Sequence, residues 1–259
     1  MVFWYMSILL PLFFFLSLFY FVPKLLLANR RRRKHLDKIV SENGWQIDRT
    51  VREHLPAELA NETISNMGDP ETYHSFNAYL IIRGRYRGRE FLLLSHGKRR
   101  HRRTDGSGTT FIFTKASGNA AFVPFFVHQK SALMDSMLQM DAGVKKMDRS
   151  VKSTFFSKIS MPKPFSESYT LRGLRGAANH LTEDVQQALL DRPDMFRRMD
   201  EKWYHRFSIY PGVSERYVWI DIQEVIPDTL FSRLDILMDW ADIIAPTSIE
   251  GAGKPCLNC

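Results

Sequence analysis

The chain has 259 residues, 44% hydrophobic and 25% charged, with 36 Lys+Arg against 28 Asp+Glu, a formal charge of +8 and two cysteines. That length allows one large or two small domains with an ordinary core, and two cysteines exclude a disulfide scaffold. The balance of charged and apolar residues excludes a mainly disordered chain and a multi-span membrane protein. These averages conceal position, because most of the excess apolar character lies in the first 28 residues.

From Met1 to Pro23 no side chain is charged, and Phe3 to Val22 is a run of Phe, Leu, Ile, Tyr and Val. At ~1.5 Å per residue, about 20 such residues cross a ~30 Å hydrocarbon core. A helix apolar on every face belongs in a bilayer rather than on a compact domain. Pro11 is tolerated in a span, and Trp4, Tyr5 and Tyr20 stand near its two ends, where aromatic belts form. An anchor fits better than a cleaved signal peptide. No basic residue precedes the run, the run exceeds the about 7–15 residues of a signal core, and Leu26 spoils a small-x-small site at Ala28. Lys24 and then Arg30, Arg31, Arg32, Arg33 and Lys34 follow the span. Positive flanks stay in the cytosol, so the N-terminus is expected outside and the chain after residue 28 inside.

Residues 24–38 hold seven Lys/Arg and one acid, and residues 83–103 hold nine and one, whereas residues 181–250 hold seven and fourteen. The basic half therefore starts at the membrane and the C-terminal quarter is acidic. Arg30 to Lys34 read first as the topology signal. Such a cluster also attracts anionic phospholipid, by about 1 kcal/mol per basic residue at the surface.

The helix leaving the membrane is expected over residues 25–42, ending near Asn43-Gly44, with Leu36, Ile39 and Val40 on one side. Residues 46–75 read as short helices and loops. Phe76 to His96 reads as two strands around a tight Arg87-Gly88-Arg89 turn. Period-2 alternation places Arg83, Arg85 and Arg87 on one side of the first strand, a face able to bind phosphate or an acidic partner. The loop that follows carries Lys98, Arg99, Arg100, His101, Arg102 and Arg103. It suits anionic headgroups better than nucleic acid, which is not expected because no aromatic residues interleave for stacking. Residues 109–114 and 121–127 are two further strands, and four strands at hairpin spacing imply an antiparallel meander.

A helix with a methionine-rich core stripe fits residues 131–147. Ser168 to Leu171 is strand-like, and Thr182 caps a helix from Glu183 to about Leu190. Strands over 203–210 and 216–222 are expected around a Pro211-Gly212 turn. Pro227-Asp228 opens a last helix with Leu230, Leu234, Leu237, Met238 and Ala241 on one face. The fold class is thus α+β: a transmembrane helix (1–28), a basic juxtamembrane helix and linker (29–75), an antiparallel-sheet domain with packed helices (76–245) and a flexible tail (246–259).

The order of span, basic flank, Gly44-Trp45, the Tyr86-Arg87-Gly88-Arg89 hairpin, Thr109-Thr110-Phe111 and Phe165 to Gly173 before Leu181 to Val185 resembles a loose group of uncharacterised bacterial single-pass membrane-anchored proteins. The resemblance spans residues 76–245 and rests on turn glycines, a strand aromatic and a helix cap. It implies the architecture and a bacterial inner-membrane location, and no catalytic residue.

No nucleophile elbow, phosphate-binding loop, dinucleotide fingerprint or His-Glu-x-x-His helix is present. The eight histidines are scattered, and no cofactor is expected. Cys256 and Cys259 form a Cys-x-x-Cys without a second ligand pair, which leaves them a weak metal candidate in a tail. The expected function is a cytosol-facing, non-catalytic binding or scaffold module for a protein or anionic lipid. The alternative is a membrane-tethered enzyme using acids such as Asp221 and Glu224. Three positions apart on one strand, those two would face opposite ways.

Overall fold

The computed structural model describes residues 24, 26–50, 56–59, 62, 76–98, 109–117, 121–129, 157–193, 195, 210–222 and 225–246. The expected span, the basic loop at 99–103, the helix at 131–147 and the Cys256–Cys259 tail therefore lie outside the described residues, Lys24 and 26–28 excepted. Among the described residues no helix is long and apolar enough to cross a membrane. The chain divides into two compact units, Met1–Trp45 and Gln46–Cys259.

The described part of the first unit is a helix, α1, over residues 26–42. Its end follows from Gly44, whose φ of +65° only glycine adopts readily. Trp45 N–H donates to the Val40 carbonyl at 2.9 Å and Gly44 N–H to that of Ser41 at 3.2 Å, the paired bonds of a Schellman cap. Along α1, Leu36, Ile39 and Val40 are shielded, at 6%, 8% and 2% exposure, while Leu26 and Leu27 are open at 63% and 55%.

The second unit is α+β. Its described strands form one antiparallel sheet of nine: β1 (Gln46–Asp48), β2 (Phe76–Tyr86), β3 (Arg89–Lys98), β4 (Thr109–Lys115), β5 (Phe125–Gln129), β6 (Ser157–Ile159), β7 (Tyr169–Gly173), β8 (Tyr210–Val213) and β9 (Tyr217–Asp221). Their spatial order is β1-β2-β3-β4-β9-β8-β5-β7-β6. Among the described residues three α-helices accompany them: α2 (Phe165–Ser168), α3 (Glu183–Leu190) and α4 (Leu230–Ile244).

The central strands are apolar runs rather than alternating patterns. Leu92-Leu93-Leu94, Phe111-Ile112-Phe113 and Val218-Trp219-Ile220 are all buried, which requires cover on both faces. On one face Ile81, Leu94, Phe111, Phe113, Trp219 and Phe126 cluster with Leu59. On the other, the register row Ile82, Leu93, Ile112 and Ile220 shares its side with Phe125, on whose ring Trp240 of α4 stands edge-on at 6.5 Å. The predicted α4 stripe is buried as expected, with Leu230, Leu234, Leu237, Met238 and Ala241 at 1% exposure or less. Trp240 Nε1 also donates to the Gly212 carbonyl at 3.1 Å, tying α4 to β8.

Three expectations give way. The meander ends at β4, because β9 and β8 lie between β4 and β5. The connection after β4 runs across the tip of the β8–β9 hairpin, where Ala116 N–H donates to Arg216 O and Phe122 N–H to Glu215 O, both at 2.9 Å. A strand as fully buried as β9 needs a neighbour on each edge, so it takes the place beside β4. Pro211-Gly212 is strand rather than turn, pairing with Ile220 and Trp219. A Cβ on Gly212 would fall inside the Trp219 indole, so this glycine provides room and not a bend. Residues 46–48, read as loop, are the edge strand β1, joined to Ile81–Arg83 of β2.

Candidate functional site

The β2–β3 hairpin is built as its sequence dictates. Arg87 and Gly88 both have positive φ, +48° and +79°, the pattern of a type I′ turn whose twist matches the strands it joins. The strand therefore stops at Tyr86, and Arg87 leaves the face that alternation assigns to it. Arg83 and Arg85 remain on one side of β2, whereas Arg87 reaches across the turn to α4.

Asp235, Asp239 and Asp242 of α4 stand at i, i+4 and i+7, a single helical stripe. Tyr86 Oη donates to Asp235 at 2.9 Å, Arg87 to Asp239 at 2.7 Å, and Arg89 to Asp242 at 2.7 Å. Arg89 also donates to Ser117 Oγ at 3.0 Å and to the Ala245 carbonyl at 3.3 Å, and its side chain is only 11% exposed. Two cations at the carboxyl half of a helix also complement its dipole. The Asp239 hydrogen bond holds the Arg87 pKa above its ordinary value, and burial, followed by the Asp235 bond, raises that of Tyr86. This is a clasp between a basic hairpin and an aspartate-striped helix.

A second clasp closes the other sheet face. Glu58 accepts both Nε and Nη2 of Arg83, at 3.2 and 3.1 Å. The Glu62 side chain is fully buried and accepts from Ser214 Oγ at 2.7 Å and from the N–H and Nε of Arg216 at 3.0 and 2.6 Å. That bond raises the Arg216 pKa. Buried carboxylates persist where several donors converge, as here. Arg85 pairs with Glu90 at 3.7 Å.

Two histidines are structural in kind. Val123 N–H donates to His180 Nε2 at 3.0 Å, so that nitrogen carries no proton and the ring is neutral. Burial lowers its pKa accordingly. The ring of Phe122 lies 5.1 Å away. His128 is buried, with Nδ1 3.2 Å from the Gln129 carbonyl.

The sequence-predicted site residues are thus distributed rather than gathered. Arg83, Arg85 and Arg87 meet three different sets of acids. Lys98 is the last residue of β3, and Arg99, Arg100, Arg102 and Arg103 lie outside the described residues, as do Cys256 and Cys259. Arg30 to Lys34 are all exposed on α1. Asp221 ends β9 at 5% exposure, and Glu224 is outside the described residues. Among the described residues no three metal-binding side chains converge. Glu62 and the aspartate stripe escaped the sequence reading. The i, i+4, i+7 spacing was the available signal for the stripe, and Glu62 carries none.

No protein-family model matches the chain, and no curated protein matches it. Among solved structures it is similar to the mycobacterial trehalose monomycolate transport factor A, TtfA, at 10% identity over 84% of this chain and 94% of that one, with a TM-score of 0.43. That likeness is too distant to assign a relationship or a role.

Proposed function

We propose that the chain is a single-pass protein of a bacterial inner membrane, with its N-terminus outside and its α+β domain in the cytosol as a non-catalytic binding or scaffold module. One observation supports the tether above others. The first turn of α1 leaves Leu26 and Leu27 63% and 55% exposed, and the next turns carry the exposed Arg30 to Lys34. Open leucines directly followed by open cations suit a helix passing from hydrocarbon into headgroups, and the uncharged residues 1–23 precede them. The binding role is favoured by the way the domain's acids and bases close on one another across elements, which stiffens a surface more readily than it assembles acid–base chemistry. Partners of that surface are a protein or anionic lipid.

The test is recovery from native membranes. Carbonate at high pH should leave the chain in the membrane pellet, and crosslinking there should retrieve a reproducible partner. Release by carbonate would sink the tether. Turnover of a substrate by the purified domain would sink the non-catalytic role.

A further inference from the structure

We propose that one side of α1, formed by Leu27, Arg30, Arg31 and Lys34, is a binding face for anionic phospholipid headgroups, and that Arg32 and Arg33 lie outside it. The inference rests on the tethered reading above and divides a cluster that sequence alone treats as uniform.

At 100° per residue, positions 27, 30, 31 and 34 follow i, i+3, i+4 and i+7 and make one stripe. Leu36, Ile39 and Val40 make the opposite, shielded stripe. Arg32 and Arg33, four and three residues before Leu36, fall on that shielded side, and both already interact within the chain. Arg30, Arg31 and Lys34 are solvent-exposed, and no carboxylate among the described residues pairs with them. The next cation along the stripe, Lys38, is taken by Glu42 at 3.7 Å.

The dimensions match a headgroup layer. From Leu27 to Lys34 the helix rises about 10 Å, and the polar layer of one leaflet is roughly 5–8 Å deep. With Leu27 at the hydrocarbon edge, Arg30 and Arg31 lie at phosphate depth and Lys34 at its outer rim. Arginine forks suit a phosphodiester in two-point fashion, and the lysine adds a point charge. Three cations at about 1 kcal/mol each correspond to a preference of order a hundredfold for an anionic over a zwitterionic lipid.

The full chain is reconstituted into nanodiscs of equimolar phosphatidylcholine and phosphatidylglycerol, stripped gently in detergent, and the retained lipid is identified by native mass spectrometry. Wild type should keep phosphatidylglycerol by a wide margin. The Arg30→Gln, Arg31→Gln, Lys34→Gln triple variant should lose most of that margin, and Arg32→Gln, Arg33→Gln should stay within about twofold of wild type. No preference in wild type, or equal loss in both variants, overturns the proposal. Displacement of the lipid by an acidic peptide at equal charge concentration overturns it in favour of a protein ligand. Failure of the wild type to enter nanodiscs marks instead a failure of the tethered reading.

Discussion

The same residue type is used in opposite ways by the two units. In α1, Arg30, Arg31 and Lys34 face solvent, and no carboxylate among the described residues pairs with them. In the sheet domain, Arg83, Arg87, Arg89 and Arg216 each grip a carboxylate from a distant segment, up to 154 positions away in the chain. The contrast teaches that a count of basic residues does not locate a binding surface. What matters is whether the fold supplies the counter-charge, and among the described residues it does so for the hairpin arginines and not for Arg30, Arg31 and Lys34.

The domain side of that comparison depends on its core, and the largest effect is expected there. Trp240 is fully buried, packs on Phe125 and holds Gly212. Trp240→Ala should cost about 3–5 kcal/mol, read by denaturant titration of the full chain in detergent. A change below 1 kcal/mol would mean that α4 is not seated on the sheet as described. Glu62→Ala comes next. It leaves the Arg216 N–H without its acceptor and the buried Ser214 hydroxyl with only the longer bond to the Tyr217 carbonyl, for about 1–3 kcal/mol by the same titration. A neutral result would show that water replaces the carboxylate.

The clasp on α4 is more exposed, with Arg87 at 44%. Arg87→Glu should destabilise by only about 1 kcal/mol, and added salt should shrink the difference from wild type, since surface pairs are weak and screened. An effect that is insensitive to salt would assign the loss to the positive-φ turn instead.

The smallest effect is a pH dependence. The folded domain holds His180 below its ordinary pKa through burial, so the unfolded chain binds the proton first as pH falls. Its contribution is therefore complete above about pH 6.5 and declines as acid is added below that point. His180→Gln keeps an acceptor for Val123 N–H and should flatten the stability profile between pH 7.5 and 5.5. An unchanged profile would place the titrating group elsewhere.

Local signals were legible and long-range ones were not. Gly44 announces the end of α1, Arg87-Gly88 the hairpin, Thr182 the start of α3 through its 3.4 Å bond from Val185 N–H, and five apolar residues the buried side of α4. Each is decided within about one turn of chain. Sheet order is not, because β9 beside β4 follows from the need to cover Val218 to Ile220 on both edges, a requirement visible only once neighbours are assigned. Pro211-Gly212 misled for a related reason: a dipeptide that usually bends the chain here makes room for an indole more than five residues on. For the site, the basic block and the acidic quarter were both visible in the sequence. That they would neutralise each other at Arg87, Arg89 and the aspartate stripe depended on α4 lying across the hairpin.

We propose that the domain is held on the cytosolic side of a membrane by what precedes α1. Fusing a fluorescent reporter that matures only in the cytosol, or a phosphatase active only in the periplasm, after Cys259 tests it most directly. Fluorescence in the membrane fraction with an inactive phosphatase is the predicted result; an active phosphatase with a dark fluorescent fusion would contradict it.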